Sequence, residues 1–418
     1  MEFAALVGWD WADKEHQVST REAGQELVVR KVVAGGANAI HEWATGTLKE
    51  YGGKPIAVCI EGSRGAVMHA LMCYPHIVLF PVNPKSASSL REALFPSGKK
   101  DDPIDADVLL LLVDKHREKL RPFEPEDAVT RKLALLSEQR KKITNDITRS
   151  TNRLKANLKG YYPQALELIG DLDTQLACDF LATWPTLQRL KRSRPATIAS
   201  FYRRHNSRSA ELINERLGVI RVSVVLTDDE ALVEGGEIKT LSSVMVLRGQ
   251  LEARRYLDDQ IQKIYESHAE HNLIDSFPGA GPVMGARLIG LLGSNRERII
   301  SAEQLQLLTG IAPVTRASGG RHGTKSVHRR LQRSKYLHQT IVEWASYSIP
   351  HSEWARACYN QLRARGKGRY SALRILGYKW LRILFRCWST STPYSEQHHI
   401  AELQRRGSPL AADFQIQT

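Results

Sequence analysis

Two apolar runs near the start of the chain, each ending in a carboxylate, constrain the fold most. Residues 3–9 lead into Asp10, and residues 55–60 lead into Glu61. Short, continuous apolar runs of this kind are typical of buried strands. Further strands are predicted at 16–20, 26–33 and 76–82, with helices at 37–51, 64–74, 86–95 and 103–115. Strands that come first and then alternate with helices predict a mixed α/β sheet.

More acidic residues follow in the segment KDDPIDAD, residues 100–107. On a helix that begins near Pro103, Asp102 and Asp105 lie three residues apart and face the same side. Capping of the helix explains one of these acids, but it does not explain the set. Four carboxylates that converge repel one another unless divalent cations hold them together. Ligands that are all oxygen select magnesium or manganese, which suit phosphoryl chemistry.

Heptad-like apolar spacing predicts two long helices in the middle of the chain, at about 127–159 and 241–271. We expect them to form an antiparallel coiled-coil arm, whose apolar stripe packs within one chain or partly between subunits. A smaller helical lobe is predicted between them. Basic residues surround Phe201 and Tyr202 there. They favour either a grip on phosphates and unpaired bases or a merely solvated charged face.

The distribution of charge indicates a polyanionic partner. The chain carries a net charge of +14, yet residues 1–115 hold 12 Lys and Arg against 15 Asp and Glu. The excess of positive charge therefore belongs to the remainder, which favours nucleic acid.

Five scattered cysteines without a C-x-x-C pair fit a reducing cytosol and offer no zinc site. We find neither a signal-peptide pattern nor an apolar run of about 18 residues, so no membrane partner is expected.

A serine lies in the most basic part of the chain. Between Glu303 and Glu343 there is no acidic residue, and Ser318 is followed by two glycines. Glycines let a backbone approach a ligand closely, and clustered cations favour phosphates. Ser318 is therefore a candidate nucleophile for a phosphodiester, although a simple basic surface loop is the alternative. The candidate nucleic-acid contacts beside it are Arg316, Arg321, Lys325, His328, Arg329 and Arg330.

Activation of this serine is not evident from the sequence. A free hydroxyl is a poor nucleophile, and no histidine base stands at a recognisable spacing. We expect Arg321, Lys325 and His328 to stabilise charge on the transferring phosphoryl group instead. Ser326 and Ser334 are weaker candidates, because neither has a neighbouring glycine.

The C-terminal part shows two further basic or phosphate-binding patterns. Residues 277–282, FPGAGP, predict a tight turn that opens a helix, as in a helix-hairpin-helix element or a plain interhelical turn. Between Ala355 and Ser395 there is again no acidic residue. A helix at 372–388 is expected to contribute a small aromatic core, and the residues from about 393 are expected to be loosely held. The densest basic residues are Arg365, Lys367 and Arg369.

Five segments together resemble one known family, in order along nearly the whole chain. They are GWD at 8–10, CIEGS at 59–63, KKDDPIDA at 99–106, FPGAGPVMGARL at 277–288 and LTGIAPVTRASGGR at 308–321. The chain resembles the DEDD transposases of insertion sequences, the IS-one-ten family, also called bridge recombinases. This resemblance implies a RuvC-like, RNase H-fold head and a nucleophilic role for Ser318. The four acidic positions it implies, in preference to Asp101 and Asp107, are Asp10, Glu61, Asp102 and Asp105.

The resemblance also implies a division into domains. Residues 1–118 correspond to the RuvC-like domain, and residues 119–275 to a coiled-coil domain with a helical insertion at about 161–240. Residues 276–418 correspond to a mainly helical transposase domain that carries the serine.

The predicted function is DNA recombination, in which Ser318 forms a covalent phosphoserine and the acids hold magnesium, with manganese possible. The resemblance implies a structured noncoding RNA that pairs with target and donor DNA. A homo-oligomer, dimer or tetramer, is expected in the bacterial cytoplasm at the nucleoid. Two alternatives remain at this point. One is a metal-dependent, structure-specific nuclease resembling a Holliday-junction resolvase, and the other is a non-catalytic nucleic-acid scaffold.

Overall fold

The computed structural model describes residues 2–62, 65–94, 102–317, 325–328, 330, 333–408 and 410. At Asp102, 315–317 and 325–327 the description covers the backbone alone. The chain divides into two compact units, Met1–Pro125 and Glu126–Thr418. None of the described helices is both long and apolar enough to cross a membrane.

The first unit is built on a five-stranded mixed sheet. Its strands are β1 (Ala5–Asp10), β2 (Glu15–Glu22), β3 (Val28–Ala34), β4 (Ile56–Glu61) and β5 (Ile77–Val82). The strand order is β3-β2-β1-β4-β5. β1 to β3 form an antiparallel meander, whereas β1, β4 and β5 run parallel to one another. The mixed α/β sheet predicted from the sequence is confirmed.

Four helices cover this sheet: α1 (Ala37–Glu50), α2 (Ala66–Leu71), α3 (Pro84–Leu94) and α4 (Asp102–Lys115). A short 3-10 turn follows at Arg117–Lys119. In β4, Val58 and Ile60 pack in a cluster with α1 and α2, while Ala57 and Cys59 pack in a second cluster with α4. Alternate residues thus bury both faces of the strand, which explains its continuous apolar run.

The second unit begins with the two long helices, α5 (Ala128–Tyr161) and, further along the chain, α11 (Glu230–Glu266). They lie antiparallel, as predicted, because Thr130 contacts His268 near one end while Asn157 donates to Thr240 toward the other. The predicted start of α11 at residue 241 is wrong. Asp229 caps the helix, and a glycine at 236 lets it pack directly on the Tyr161 ring, so helical structure extends N-terminally.

Five short helices form the lobe between them: α6 (Gln164–Ile169), α7 (Gln175–Thr183), α8 (Leu187–Lys191), α9 (Pro195–Arg204) and α10 (Ala210–Val222). Phe201 and Tyr202 are only 3% and 0% exposed, and the Tyr202 hydroxyl donates to the Leu168 carbonyl. These rings belong to the core of the lobe. The hypothesis that they stack on unpaired bases is therefore wrong, whereas a grip on phosphates by the surrounding basic residues stays a prediction beside the solvated charged face.

The remaining elements form a helical region around a small hairpin. They are α12 (His271–Asp275), α13 (Pro282–Leu292), α14 (Ala302–Leu308), β6 (Val314–Ala317), β7 (Lys325–His328), α15 (Lys335–Ser348), α16 (Glu353–Ala364), α17 (Arg369–Ser389) and α18 (Glu396–Arg405). Short 3-10 turns lie at Arg296–Arg298 and Ile349–His351. Four tryptophans at 344, 354, 380 and 388 are buried together, so the predicted aromatic core is confirmed.

The last described helix corrects another expectation. Tyr394 stacks on Phe277 with ring centroids 5.2 Å apart, and Glu396 accepts hydrogen bonds from the Ser352 hydroxyl and the Trp354 amide. Ser395 caps the helix that follows. These contacts anchor residues 394–405, so the expectation that the chain is loosely held from about residue 393 is wrong for this part.

Candidate active site

Asp10 and Glu61 lie at the same edge of the sheet. Each is the last residue of its strand, and the two strands are parallel neighbours whose final paired residues are Trp9 and Ile60. The carboxyl ends of neighbouring parallel strands lie at the same edge of a sheet. Asp10 and Glu61 each come directly after this last pair, so they are neighbours at that edge. Both side chains are partly exposed there.

Helix α4 carries the other two candidate acids to this region. It packs directly on β1 at Gly8, where an added Cβ would overlap the carbonyl oxygen of Ala106 and the amide nitrogen of Leu110. Only glycine allows this backbone-to-backbone approach. The contact holds the first turns of α4, with Asp102 and Asp105, against the strand that ends in Asp10. We refer to Asp10, Glu61, Asp105 and the backbone of Asp102 as the acidic edge.

Asp105 has a cationic partner that the sequence analysis missed. Arg91 of α3 donates from Nη1 to both carboxylate oxygens, at 2.8 and 3.0 Å. The hydrogen bond and charge of Asp105 raise the pKa of Arg91, and the charge of Glu61 adds to this shift. Arg91 therefore stands within electrostatic reach of two members of the acidic edge. Its position one helix before α4 gave no sequence signal.

Asp107 has a different environment. It accepts a 2.6 Å hydrogen bond from the Ser19 hydroxyl and a forked pair of bonds from Arg30, through Nε and Nη2. These partners belong to β2 and β3. The structure thus gives Asp107 a structural role, whereas Asp101 lies outside the described residues.

A divalent cation fits the donor chemistry of the acidic edge, because its side chains offer carboxylate oxygens. The described side chains do not form a complete set of metal ligands. Among the residues that the structure describes, no group of three or more His, Cys, Asp or Glu side chains is gathered closely enough to hold a metal. The side chain of Asp102 lies outside that description. At Asp105 the positive charge is supplied by Arg91 instead.

The serine segment lies in sequence between two paired strands that the sequence analysis did not predict. β6 and β7 pair antiparallel, from Val314 with His328 to Ala317 with Lys325. The β-branched residues Val314, Thr315 and Val327 on both sides of a glycine-rich stretch are the signal that could have found it. Ser318 follows β6 directly in sequence but lies outside the described residues, as do Arg321 and Arg329.

The described candidates around this hairpin differ in exposure. Arg316 and Lys325 are defined by their backbone only, in β6 and β7. His328 is exposed and Arg330 is partly buried. Ser334 is explained as the N-cap of α15, because it accepts a hydrogen bond from the Leu337 amide.

Two further surface features agree with the predicted helices and turns. Arg365, Lys367 and Arg369 are all exposed in the turn between α16 and α17, in which Gly366 has a φ of +76°. The FPGAGP turn joins α12 to α13, and its Gly279, at φ +72°, packs against the backbone of Tyr347. Phosphate binding at either feature stays a prediction.

A partly buried charge cluster joins three helices of the second unit. Glu343 of α15 accepts from Arg287 Nη1 at 2.6 Å and from Lys141 Nζ at 2.9 Å, and Gln339 also donates to it. Burial alone would raise the pKa of Glu343, but the bonds and charges of Arg287 and Lys141 outweigh burial and lower it. We call these four residues the Glu343 cluster.

Comparison with known proteins agrees with this arrangement. A DEDD transposase model of the IS110 type matches residues 7–163, and a model described as transposase, IS116/IS110/IS902 family, matches residues 271–360. The four candidate acids lie within the first match and Ser318 within the second. The DEDD transposases are thus the class to which the α/β unit with its acidic edge corresponds.

Similar proteins extend the match over almost the full length. The chain is 28% identical to the "Mini-circle putative transposase for IS117" of Streptomyces coelicolor, over 95% of this chain and 97% of that protein. It is 24% identical to an IS900 insertion-element protein of Mycobacterium paratuberculosis, over 89% and 90%, and 25% identical to an IS110 protein of Streptomyces coelicolor, over 73% and 74%. The chain belongs to the IS110 family of transposases, so the resemblance predicted from its motifs is confirmed.

Proposed function

We propose that this transposase cuts and re-joins DNA through a covalent bond between Ser318 and a DNA phosphate. Asp10, Glu61, Asp102 and Asp105 would hold magnesium, with manganese as a substitute. One observation supports the metal-binding role that we propose for these four acids. Asp10 and Glu61 end neighbouring parallel strands, and α4 brings Asp102 and Asp105 onto the same strand through the contact at Gly8.

The topology supports a RuvC-like, RNase H-fold assignment for the first unit. An antiparallel meander of three strands is extended by two parallel strands, with helices on both faces. We propose three functional divisions within the chain: a RuvC-like domain at 1–118, a coiled-coil domain at 119–275 with its helical insertion, and a transposase domain at 276–418.

The chemistry conserves the phosphodiester bond energy. The Ser318 oxygen forms a bond to phosphorus, and the bond from phosphorus to one DNA oxygen breaks, so that the released DNA hydroxyl takes up the proton lost by the serine. A hydroxyl from a second DNA end then reverses the step and frees the serine. When bound, the divalent ion would supply positive charge to the phosphate oxygens. Arg321, Lys325 and His328 would add to that charge stabilisation.

Nucleic-acid partners beyond the DNA substrate form a separate part of the proposal. The net charge of +14 and the exposed Arg365, Lys367 and Arg369 support an extended polyanionic interface. We propose that a structured noncoding RNA pairs with target and donor DNA on this surface. Assembly as a dimer or tetramer would bring together the two DNA ends that are exchanged.

Replacement of the serine tests the mechanism. Ser318→Ala is expected to lower DNA cleavage by at least about 10³-fold and to abolish a protein–DNA adduct that survives denaturation. Ser334→Ala is the matched control, because loss of the α15 cap costs about 1 kcal/mol of stability but leaves cleavage in place. The readout is gel separation of cut DNA and of the adduct, with peptide mapping of the attached residue.

A second candidate function shares the acidic edge, which lies wholly within the first unit. A metal-dependent nuclease that resembles a Holliday-junction resolvase would use these acids and water, with Ser318 as a bystander. Continued cutting by Ser318→Ala, without any adduct in the wild type, would support that nuclease. Loss of both products would exclude it.

A further inference from the structure

We propose that Arg91 is the resident cation of the acidic edge, and that it holds Asp105 until a divalent metal ion takes its place. This inference rests on the metal site of the proposed function. It assigns Arg91 as a positioning residue, whose displacement accompanies metal binding.

The first argument is the position of the guanidinium. Arg91 Nη1 lies 2.8 and 3.0 Å from the two oxygens of Asp105, which are the atoms that a metal ion would use. The side chains of Arg91 and Asp105 are 25% and 20% exposed, so the pair is only partly removed from water. The charge of Glu61 acts on the same guanidinium. Metal binding and Arg91 binding therefore compete for one carboxylate.

The second argument is the geometry of the pair, compared with the pair that Arg30 of β3 forms with another carboxylate of α4. Arg30 binds Asp107 through two different nitrogens, Nε and Nη2, and Ser19 donates to the same carboxylate. Arg91 uses a single nitrogen for both oxygens of Asp105. The fork of Arg30 and the bond from Ser19 give Asp107 three donor atoms, whereas the Asp105 carboxylate gives up one described donor nitrogen when it is released.

The third argument is the support of the helix that carries Arg91. None of the eleven residues of α3, all of which are described, is buried. A helix without buried side chains is held by few apolar contacts and moves at low cost in free energy. Its neighbour α4, in contrast, contributes Leu109, Leu110 and Val113 to the core beneath the sheet. Displacement of Arg91, by rotation of its side chain or by movement of α3, thus leaves the acids of α4 in position.

Electrostatics gives the exchange its direction. Without a metal ion, Arg91 offsets the repulsion between Asp105 and Glu61. Once a divalent ion binds, the guanidinium is repelled by the ion and loses its carboxylate partner. Removal of Arg91 should therefore strengthen metal binding, since it removes both a competitor and a repulsive charge. A residue that merely supported the metal site would have the opposite effect.

The test measures Mn²⁺ binding to the full-length protein by calorimetry and by the electron paramagnetic resonance signal of free Mn²⁺. Arg91→Gln is expected to bind Mn²⁺ about fivefold more tightly than the wild type, which corresponds to about 1 kcal/mol. Arg91→Lys, which keeps the charge, should remain near the wild-type affinity. Arg30→Gln is the matched control, because Arg30 pairs with Asp107 of the same helix α4, and it should leave the affinity unchanged.

A second readout separates competition from a purely structural role. In EDTA, Arg91→Gln should unfold at a lower temperature than the wild type, and saturating Mn²⁺ should restore more of its stability than it adds to the wild type. Unchanged or weaker Mn²⁺ binding in Arg91→Gln, with clearly weaker binding in Asp105→Asn, would overturn the role of Arg91 alone. Equal Mn²⁺ binding by the wild type and Asp105→Asn would overturn the metal site itself.

Discussion

The acidic edge and the Glu343 cluster both set carboxylates against arginine, yet they differ in how completely the charges are satisfied. Glu343 has two cations and an amide as partners, drawn from α5, α13 and α15, and Arg287 is only 6% exposed. Asp105 has one described cation, from a helix without buried residues. A carboxylate held by cations from two other helices ties those helices together, whereas a carboxylate with one described cation can exchange that cation for another ion.

The largest effect is expected in the Glu343 cluster. Glu343→Gln keeps the shape but leaves Arg287 and Lys141 without a counter-charge, so we expect a loss of about 3 kcal/mol in the free energy of unfolding. Urea denaturation measures it, and amide hydrogen exchange should show faster opening of α13 and α15.

The control for this cluster is a carboxylate of the same unit that pairs with exposed arginines close to it in sequence. Glu402 accepts from Arg405 and Arg406 on the surface of α18, and Glu402→Gln should leave stability unchanged. Equal effects of Glu343→Gln and Glu402→Gln would show that a carboxylate joining several helices stabilises the protein no more than one paired with its neighbours in sequence.

A smaller effect is expected where helix α4 meets the sheet. Gly8→Ala forces β1 away from the backbone of α4 and should cost about 1–3 kcal/mol, together with weaker Mn²⁺ binding because Asp105 moves away from Asp10. Calorimetric melting and Mn²⁺ titration measure the two consequences.

Gly46→Ala is the matched control in the same unit. Gly46 lies in α1 with open space around its missing Cβ, and alanine there should stabilise the helix by about 0.5–1 kcal/mol. If Gly8→Ala lowered stability but left Mn²⁺ binding intact, the acidic edge would not depend on the position of α4.

Much of the first unit could be predicted from the sequence, because its strands are short apolar runs with clear ends. Asp10 and Glu61 were assigned to strand ends on that basis, and the register confirms that the strands are parallel neighbours. The Arg91 pair could not be predicted, since nothing in a surface helix indicates which charge its arginine meets. Gly8 was recognised as part of a motif, but the need for glycine follows only from the approach of α4.

The errors in the second unit have a common physical origin. Phe201 and Tyr202 are surrounded by basic residues in sequence, yet the helix turns both rings into the core and leaves the charges outside. Similarly, the attachment of α18 depends on Tyr394 and Glu396, which contact residues far away in sequence. Local composition does not report such long-range contacts.

The smallest expected effect is a pH dependence at the end of the long helix pair. The His268 ring is held neutral between two bonds, since its Nδ1 accepts from the Glu270 amide and its Nε2 contacts the Thr130 hydroxyl, which donates to Asp127. Burial lowers the pKa of His268, although the charges of Asp127 and Glu270 oppose this shift.

A lowered folded-state pKa means that the unfolded chain binds more protons below its ordinary value of about 6.5. Stability that His268 contributes at pH 7.5 should therefore be lost as the pH falls toward 5.5. His268→Gln should flatten this part of the pH profile in urea denaturation, while His351→Gln, at an exposed position, should leave the profile unchanged. An unaltered profile in His268→Gln would show that the buried ring carries no pH-dependent stability.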